Sequence, residues 1–167
     1  KQRELAMEDK SYTFTSIAFA GNEGWVTGLP SLMLHTSDGG ESWDTLSLPQ
    51  MDLSTEYILE SHFYDQDTGI VFVSGNFTGP IEEARAYRTF DGGQSWMLTE
   101  LPIEPFEDTF KSAPNYGYVY RGDTIWTGTT QGRILRSVNR GADWEVFQPV
   151  GAPPNPVESI AFQDHLR

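Results

Sequence analysis

Three segments of the chain repeat one eight-residue pattern: Thr36-Ser37-Asp38-Gly39-Gly40-Glu41-Ser42-Trp43, Thr89-Phe90-Asp91-Gly92-Gly93-Gln94-Ser95-Trp96 and Ser137-Val138-Asn139-Arg140-Gly141-Ala142-Asp143-Trp144. Each reads hydroxyl, any residue, Asp or Asn, any residue, Gly, two of any kind, Trp. The three tryptophans lie 53 and 48 positions apart. A chain with such a period is built of units that cannot bury their apolar faces alone and must stack on one another. The repeat extends beyond these boxes. Trp25 precedes Trp43 by 18 positions and Trp126 precedes Trp144 by the same 18, while Ser16-Ile17-Ala18-Phe19 returns 143 positions later as Ser159-Ile160-Ala161-Phe162. The middle repeat carries Phe72 at the place of Trp25 and Trp126, but 24 residues before Trp96, so its additional residues are assigned to 76–84.

Within each repeat, alternation and turn chemistry predict four short strands. They are read near 12–19, 24–28, 31–36 and 42–48, near 57–64, 69–75, 84–90 and 95–101, and near 115–120, 124–128, 132–137 and 143–148. Sixteen Gly, ten Pro, five Trp, seven Tyr and ten Phe fit an aromatic-rich, turn-rich chain. Four strands every 40 to 50 residues mark the blade of a β-propeller. The predicted fold is therefore all-β, with blades at 11–50, 55–103 and 113–150 and the first strand of a fourth at 156–167. Three blades cannot close a ring, so the chain is expected to be part of a larger propeller or to have its open flanks covered by another chain.

The boxes read as structure. Asp38, Asp91 and Asn139 can accept hydrogen bonds from the N–H groups of their own turns. Gly40, Gly93 and Gly141 allow the positive φ of a tight bend. Trp43, Trp96 and Trp144 are expected to fold back as apolar plugs between strands, and so to be costly to remove. Thr36, Thr89 and Ser137 open the three boxes.

The net charge of −13 is concentrated: residues 38–110 hold fifteen acids against Arg85 and Arg88 alone. A field of that sign repels nucleic acid and anionic membrane. No purely apolar run exceeds four residues, as in Ile70-Val71-Phe72-Val73, too short for insertion into a bilayer as a helix. Zero cysteines exclude disulfides and a thiolate zinc site. Arg121, Arg133, Arg136 and Arg140, opposed only by Asp123 in that stretch, form a local positive patch and are the candidate partner-binding residues.

These boxes resemble the Asp-box, or BNR, repeat of sialidases, sortilin-type receptors, xyloglucanases and the photosystem II stability/assembly factor family. The first repeat is most similar to the last of these. Its Tyr12-x-Phe14-x-Ser16-Ile17-Ala18-Phe19, Gly21-Asn22-Glu23-Gly24-Trp25-Val26-x-Gly28 and Leu32-Met33-Leu34-His35-Thr36 carry the likeness. Repeats two and three resemble generic Asp-box blades of secreted bacterial surface proteins. The resemblance implies a propeller whose relatives chaperone the assembly of a membrane complex without catalysis.

Other constellations carry less. Sialidase chemistry would need arginines from separate blades, whereas Arg133, Arg136 and Arg140 fall within one hairpin. Asp65-x-Asp67-x-Gly69 looks like the start of a calcium loop, but Asn76 stands where the twelfth-position Glu belongs, so a hairpin turn is the better reading. Arg121-Gly122-Asp123 aligns with the same turn. Asn76-Phe77-Thr78 is a glycosylation sequon. His35, His62 and His165 show no ligand spacing. The expected function is a non-enzymatic scaffold for a protein partner, with no cofactor and no metal. The expected location is extracytoplasmic (periplasm, thylakoid lumen or cell surface), although no secretory leader is visible. The alternative is a blade set of a larger glycan-binding or glycoside-hydrolase surface protein.

Overall fold

The computed structural model describes residues 12–49, 51, 56–75, 84–104, 107, 117–148, 155–157 and 159–162. It holds twelve strands in three four-stranded antiparallel sheets. The first sheet comprises β1 (Thr13–Ala20), β2 (Glu23–Leu29), β3 (Leu32–Thr36) and β4 (Asp44–Thr45) in that order. The second comprises β5 (Glu56–Phe63), β6 (Gly69–Gly75), β7 (Arg85–Thr89) and β8 (Met97–Thr99). The third comprises β9 (Tyr118–Arg121), β10 (Thr124–Gly128), β11 (Ile134–Ser137) and β12 (Glu145–Phe147). This is the blade architecture that the repeat predicts.

The eighteen-residue spacing has a structural meaning. In blades one and three it sets a tryptophan within the second strand, and Phe72 takes that place in blade two at its longer spacing. Each meets an aromatic from the chain that follows its blade. Trp25 stacks flat on Phe63 at 3.6 Å, Phe72 meets Tyr118 at 4.6 Å, and Trp126 meets Phe162 at 4.5 Å. Trp25 also donates its indole N–H to the Gly92 carbonyl at 2.9 Å, tying the first blade to the second box. Each box hairpin is docked on the first turn of its own blade by one backbone bond. These are Gly39 N–H to Asn22 O, Gly92 N–H to Asp67 O and Arg140 N–H to Asp123 O, at 2.9, 2.9 and 2.8 Å. Boxes on equivalent corners of successive blades follow directly.

Three predicted details differ. The fourth strands are only two or three residues long and begin after the box tryptophan, because the box spends its backbone on its own turn and an outer strand pairs on one side alone. Residues 159–162 lie against blade three without forming a strand, since no second strand stands beside them among the described residues. They are held by Phe162 on Trp126 and, just before them, by Val157 N–H to Thr129 O at 3.1 Å. The box tryptophans are half-buried, and the sealed indole is Trp25. The additional residues of repeat two and the sequon fall largely outside the described residues.

Trp96 packs edge-on against Phe63 between blades one and two, and Trp144 edge-on against Phe72 between blades two and three. Trp43 occupies the same position on the free side of blade one. There it lines an apolar groove with Phe14, Ile17, Val26 and Leu34. Among the described residues Phe14 and Ile17 stay 54% and 66% exposed on this flank, while residues 155–157 and 159–162 partly cover the flank of blade three.

Candidate functional site

The box residues form closed hydrogen-bond circuits. In the first, the Thr36 hydroxyl donates to Asp38 Oδ1 at 2.7 Å and accepts the Gly40 N–H at 2.9 Å. Asp38 then accepts the Ser42 N–H at 2.9 Å and the Ser42 hydroxyl at 2.6 Å. Thr89, Asp91, Gly93 and Ser95 repeat every contact. The Ser42 and Thr36 bonds hold the Asp38 carboxyl well below the usual carboxylate range, and the Ser95 and Thr89 bonds lower Asp91 likewise. Three bonds from its own turn hold each of these carboxylates in place, which is a structural role. The role of the hydroxyl as acceptor for the glycine N–H was not foreseen, although its presence in all three boxes was the signal.

The third box reverses the polarity of this circuit. Asn139 Oδ1 accepts the Asp143 N–H at 2.9 Å, and the Asn139 amide donates to Asp143 Oδ2 at 2.9 Å. The acid has moved from the third to the seventh position and the donor has moved the other way. Asn139→Asp alone should therefore set two carboxylates together and lower the melting temperature. Asn139→Asp with Asp143→Ser should restore it, because that pair recreates the first two boxes. Thermal melts of both variants decide this; a single variant as stable as wild type would show that the circuit does not hold the turn.

The four arginines do not share a surface. Arg133 is buried, with Nε 3.0 Å from Glu107 Oε1, a terminal nitrogen on Glu107 Oε2, and another bond to Pro102 O at 2.9 Å. Arg136 pairs with Glu145 at 3.3 Å and lies over Phe147. Arg140 donates to Asp123 at 2.6 Å and to Asp65 of blade two at 3.2 Å, and covers the Tyr64 ring. Its φ of +55° repeats that of Gly39 and Gly92 at the same box position, so a non-glycine residue is held there in the left-handed region by those two acids. Arg121 is exposed, bonded to Phe162 O at 3.1 Å. Asp65 accepts the N–H groups of Asp67 and Thr68 at 3.0 and 2.6 Å, which makes the calcium-like sequence a hairpin turn. Among the described residues no group of His, Asp and Glu is disposed to hold a metal ion.

Sequence reasoning passed over one cleft. The first strands of all three blades converge on a cavity of about 410 Å³, lined by Thr15–Ala18 of β1, Glu60, Ser61 and His62 of β5, and Tyr118 and Tyr120 of β9. A bulge between Ile58 and Glu60 shifts the register of β5, and β1 carries one between Phe14 and Ser16. Bulges re-aim side chains, and they recur beside functional sites. Past the bulge, Ser61 bonds to Ser16 of blade one while His62 stacks flat on Tyr120 of blade three at 3.9 Å. Burial pushes Glu60 up to about 7 and lowers His62, so the imidazole is neutral near pH 7. The Tyr120 hydroxyl is buried without a hydrogen-bond partner.

Residues 1–55 match the family model of the photosynthesis system II assembly factor YCF48. The chain is 30% identical over 159 residues to the chloroplastic photosystem II stability/assembly factor HCF136 of Oryza sativa subsp. japonica, covering 89% of this chain and 35% of that protein. It is 30% identical over 131 residues to the photosystem II assembly lipoprotein Ycf48 of Synechococcus sp. (strain CC9902), covering 71% and 36%. The chain thus spans about a third of the length of the curated relatives it matches. Among solved structures, YCF48 from Cyanidioschyzon merolae aligns with a TM-score of 0.60 at 20% identity, covering 86% of this chain and 42% of that one. A structure of YCF48 bound to D1 peptide gives 0.53 at 22%, covering 83% and 42%. The GH74 xyloglucanase from Xanthomonas campestris gives 0.51 at 18%, covering 81% and 22%. At these identities the structures speak to the propeller fold alone.

Proposed function

We propose that this chain, an Asp-box repeat β-propeller most like the photosystem II stability/assembly factor family in its first repeat, is a non-enzymatic scaffold that holds a protein segment during assembly of a membrane complex. The observation that carries this reading is sequence identity. It reaches 30% over 159 residues, 89% of this chain, with a named assembly factor. One structural relative was solved with a D1 peptide, so the partner proposed here is likewise a peptide segment. The site of action proposed is extracytoplasmic, in keeping with a relative that is a lipoprotein. The boxes fit a scaffold, since their acids are engaged within their own turns. Of the four arginines, Arg121 is the most exposed and is the one proposed to face a partner.

Fluorescence anisotropy with a labelled D1 peptide tests the reading. The expected result is saturable binding to the chain and none by a scrambled peptide. Equal behaviour of the two peptides, or release of reducing sugar from xyloglucan by the chain, would overturn it.

A further inference from the structure

We infer that the cleft between the first strands is a seat for a single cationic side chain, lysine or arginine, of a protein partner, with Glu60 as its counter-ion and Tyr118 and Tyr120 as its walls. The inference rests on the scaffold reading only in taking the cation to belong to a protein segment.

The cleft supplies an acid without a partner. Among the described residues, Glu60 accepts no hydrogen bond and forms no ion pair, while nearby acids are matched: Glu56 by Arg85 and Asp65 by Arg140. A half-buried carboxyl left in that state costs free energy, and proteins normally pair such a group or replace it. Burial, and then the Glu60 charge, push Tyr120 well above the ordinary tyrosine value, which places a second unmatched polar group beside the first. His62 cannot serve as the missing cation, because burial lowers it and its ring is stacked on Tyr120. Arg140 lies over the Tyr64 ring and is paired with Asp65 and Asp123, and Arg88 lies over the Phe90 ring, so among the described residues neither is paired with Glu60. One carboxylate, one free hydroxyl and tyrosine rings suit an ammonium or guanidinium group, which takes both an ion pair and an aromatic wall. A cavity near 410 Å³ admits such a side chain with part of its stem. The sequence stretch that contains Glu60 is strongly acidic, fifteen acids against two arginines over residues 38–110, and a field of that sign would draw a basic segment in.

The test uses N-acetyl-arginine amide and, as a probe of the same shape without the charge, N-acetyl-citrulline amide. The readout is the NMR ring signals of His62, Tyr118 and Tyr120 in the 167-residue chain. Saturable shifts are expected with the arginine probe and not with citrulline. Because the free carboxyl holds its proton up to about pH 7, binding should tighten about tenfold from roughly pH 6 to roughly pH 8. Glu60→Gln should abolish it while leaving a cooperative melt, and Tyr120→Phe should weaken it several-fold. Equal shifts with citrulline, binding that survives Glu60→Gln, or no saturable shift at about pH 8 would each overturn the inference. These outcomes are independent of whether the D1 peptide binds, so a failure here is separable from a failure of the scaffold reading.

Discussion

Arg133→Met should destabilise the chain by about 3–5 kcal/mol, because it removes one half of a buried ion pair and strands the other. The Glu107 side chain is wholly shielded and that of Arg133 is 10% exposed. The carboxylate is fully occupied: it takes two guanidinium bonds, the Thr129 hydroxyl, and the Glu104 N–H at 2.8 Å. Arg133 in turn reaches the Pro102 carbonyl, so this cluster pins the chain leaving blade two onto the β10–β11 turn of blade three. Urea titration of the variant measures the loss. The double variant Arg133→Met with Glu107→Met should recover most of it, since an apolar pair of similar size leaves no charge unmatched. A single variant as stable as wild type would mean that water reaches Glu107.

That cluster also shows where sequence reading stops. Period, turn chemistry and the alternation of strands are local, and they gave the three sheets and the place of each box. Arg133 stands two positions before Leu135, and both are buried. What local pattern could not supply was the partner, because Glu107 stands 26 residues away in a stretch with no periodic signal. The arginines looked like one patch since they are neighbours in sequence, yet in the fold each meets a different acid or aromatic. Arg140 is the extreme case, bonded to Asp65 at a separation of 75 residues. Glu60 was invisible for another reason. A strict two-residue alternation puts Glu60 on the same face as Ile58 and turns His62 with it. The bulge between Ile58 and Glu60 breaks that parity, and no single residue type announces a bulge. Local pattern thus carried the scaffold, whereas the cleft depends on one irregularity in one strand.

Glu60→Gln should stabilise the chain above neutral pH. Burial raises this carboxyl from its ordinary value of 4.5 to about 7. Between those values the folded chain keeps a proton that the unfolded chain has lost, so stability falls as pH rises through that window. The difference corresponds to about 3 kcal/mol once both states are ionised. Wild type and variant should therefore differ least near pH 4.5 and most above about pH 7, with the variant the more stable there. Asp38 and Asp91 act in the opposite sense, since their lowered values make acid destabilising, but they are common to both proteins and cancel in the comparison. Denaturant midpoints at a series of pH values measure the gap. Parallel curves would show that Glu60 is solvated and would remove the unmatched charge on which the cleft depends. A gap that opens with pH would mean that the chain bears a cost at Glu60 which glutamine of nearly the same shape avoids. A bound cation recovers that cost, because the term that weakens the empty fold above neutral pH is the one an ion pair in the cleft would cancel.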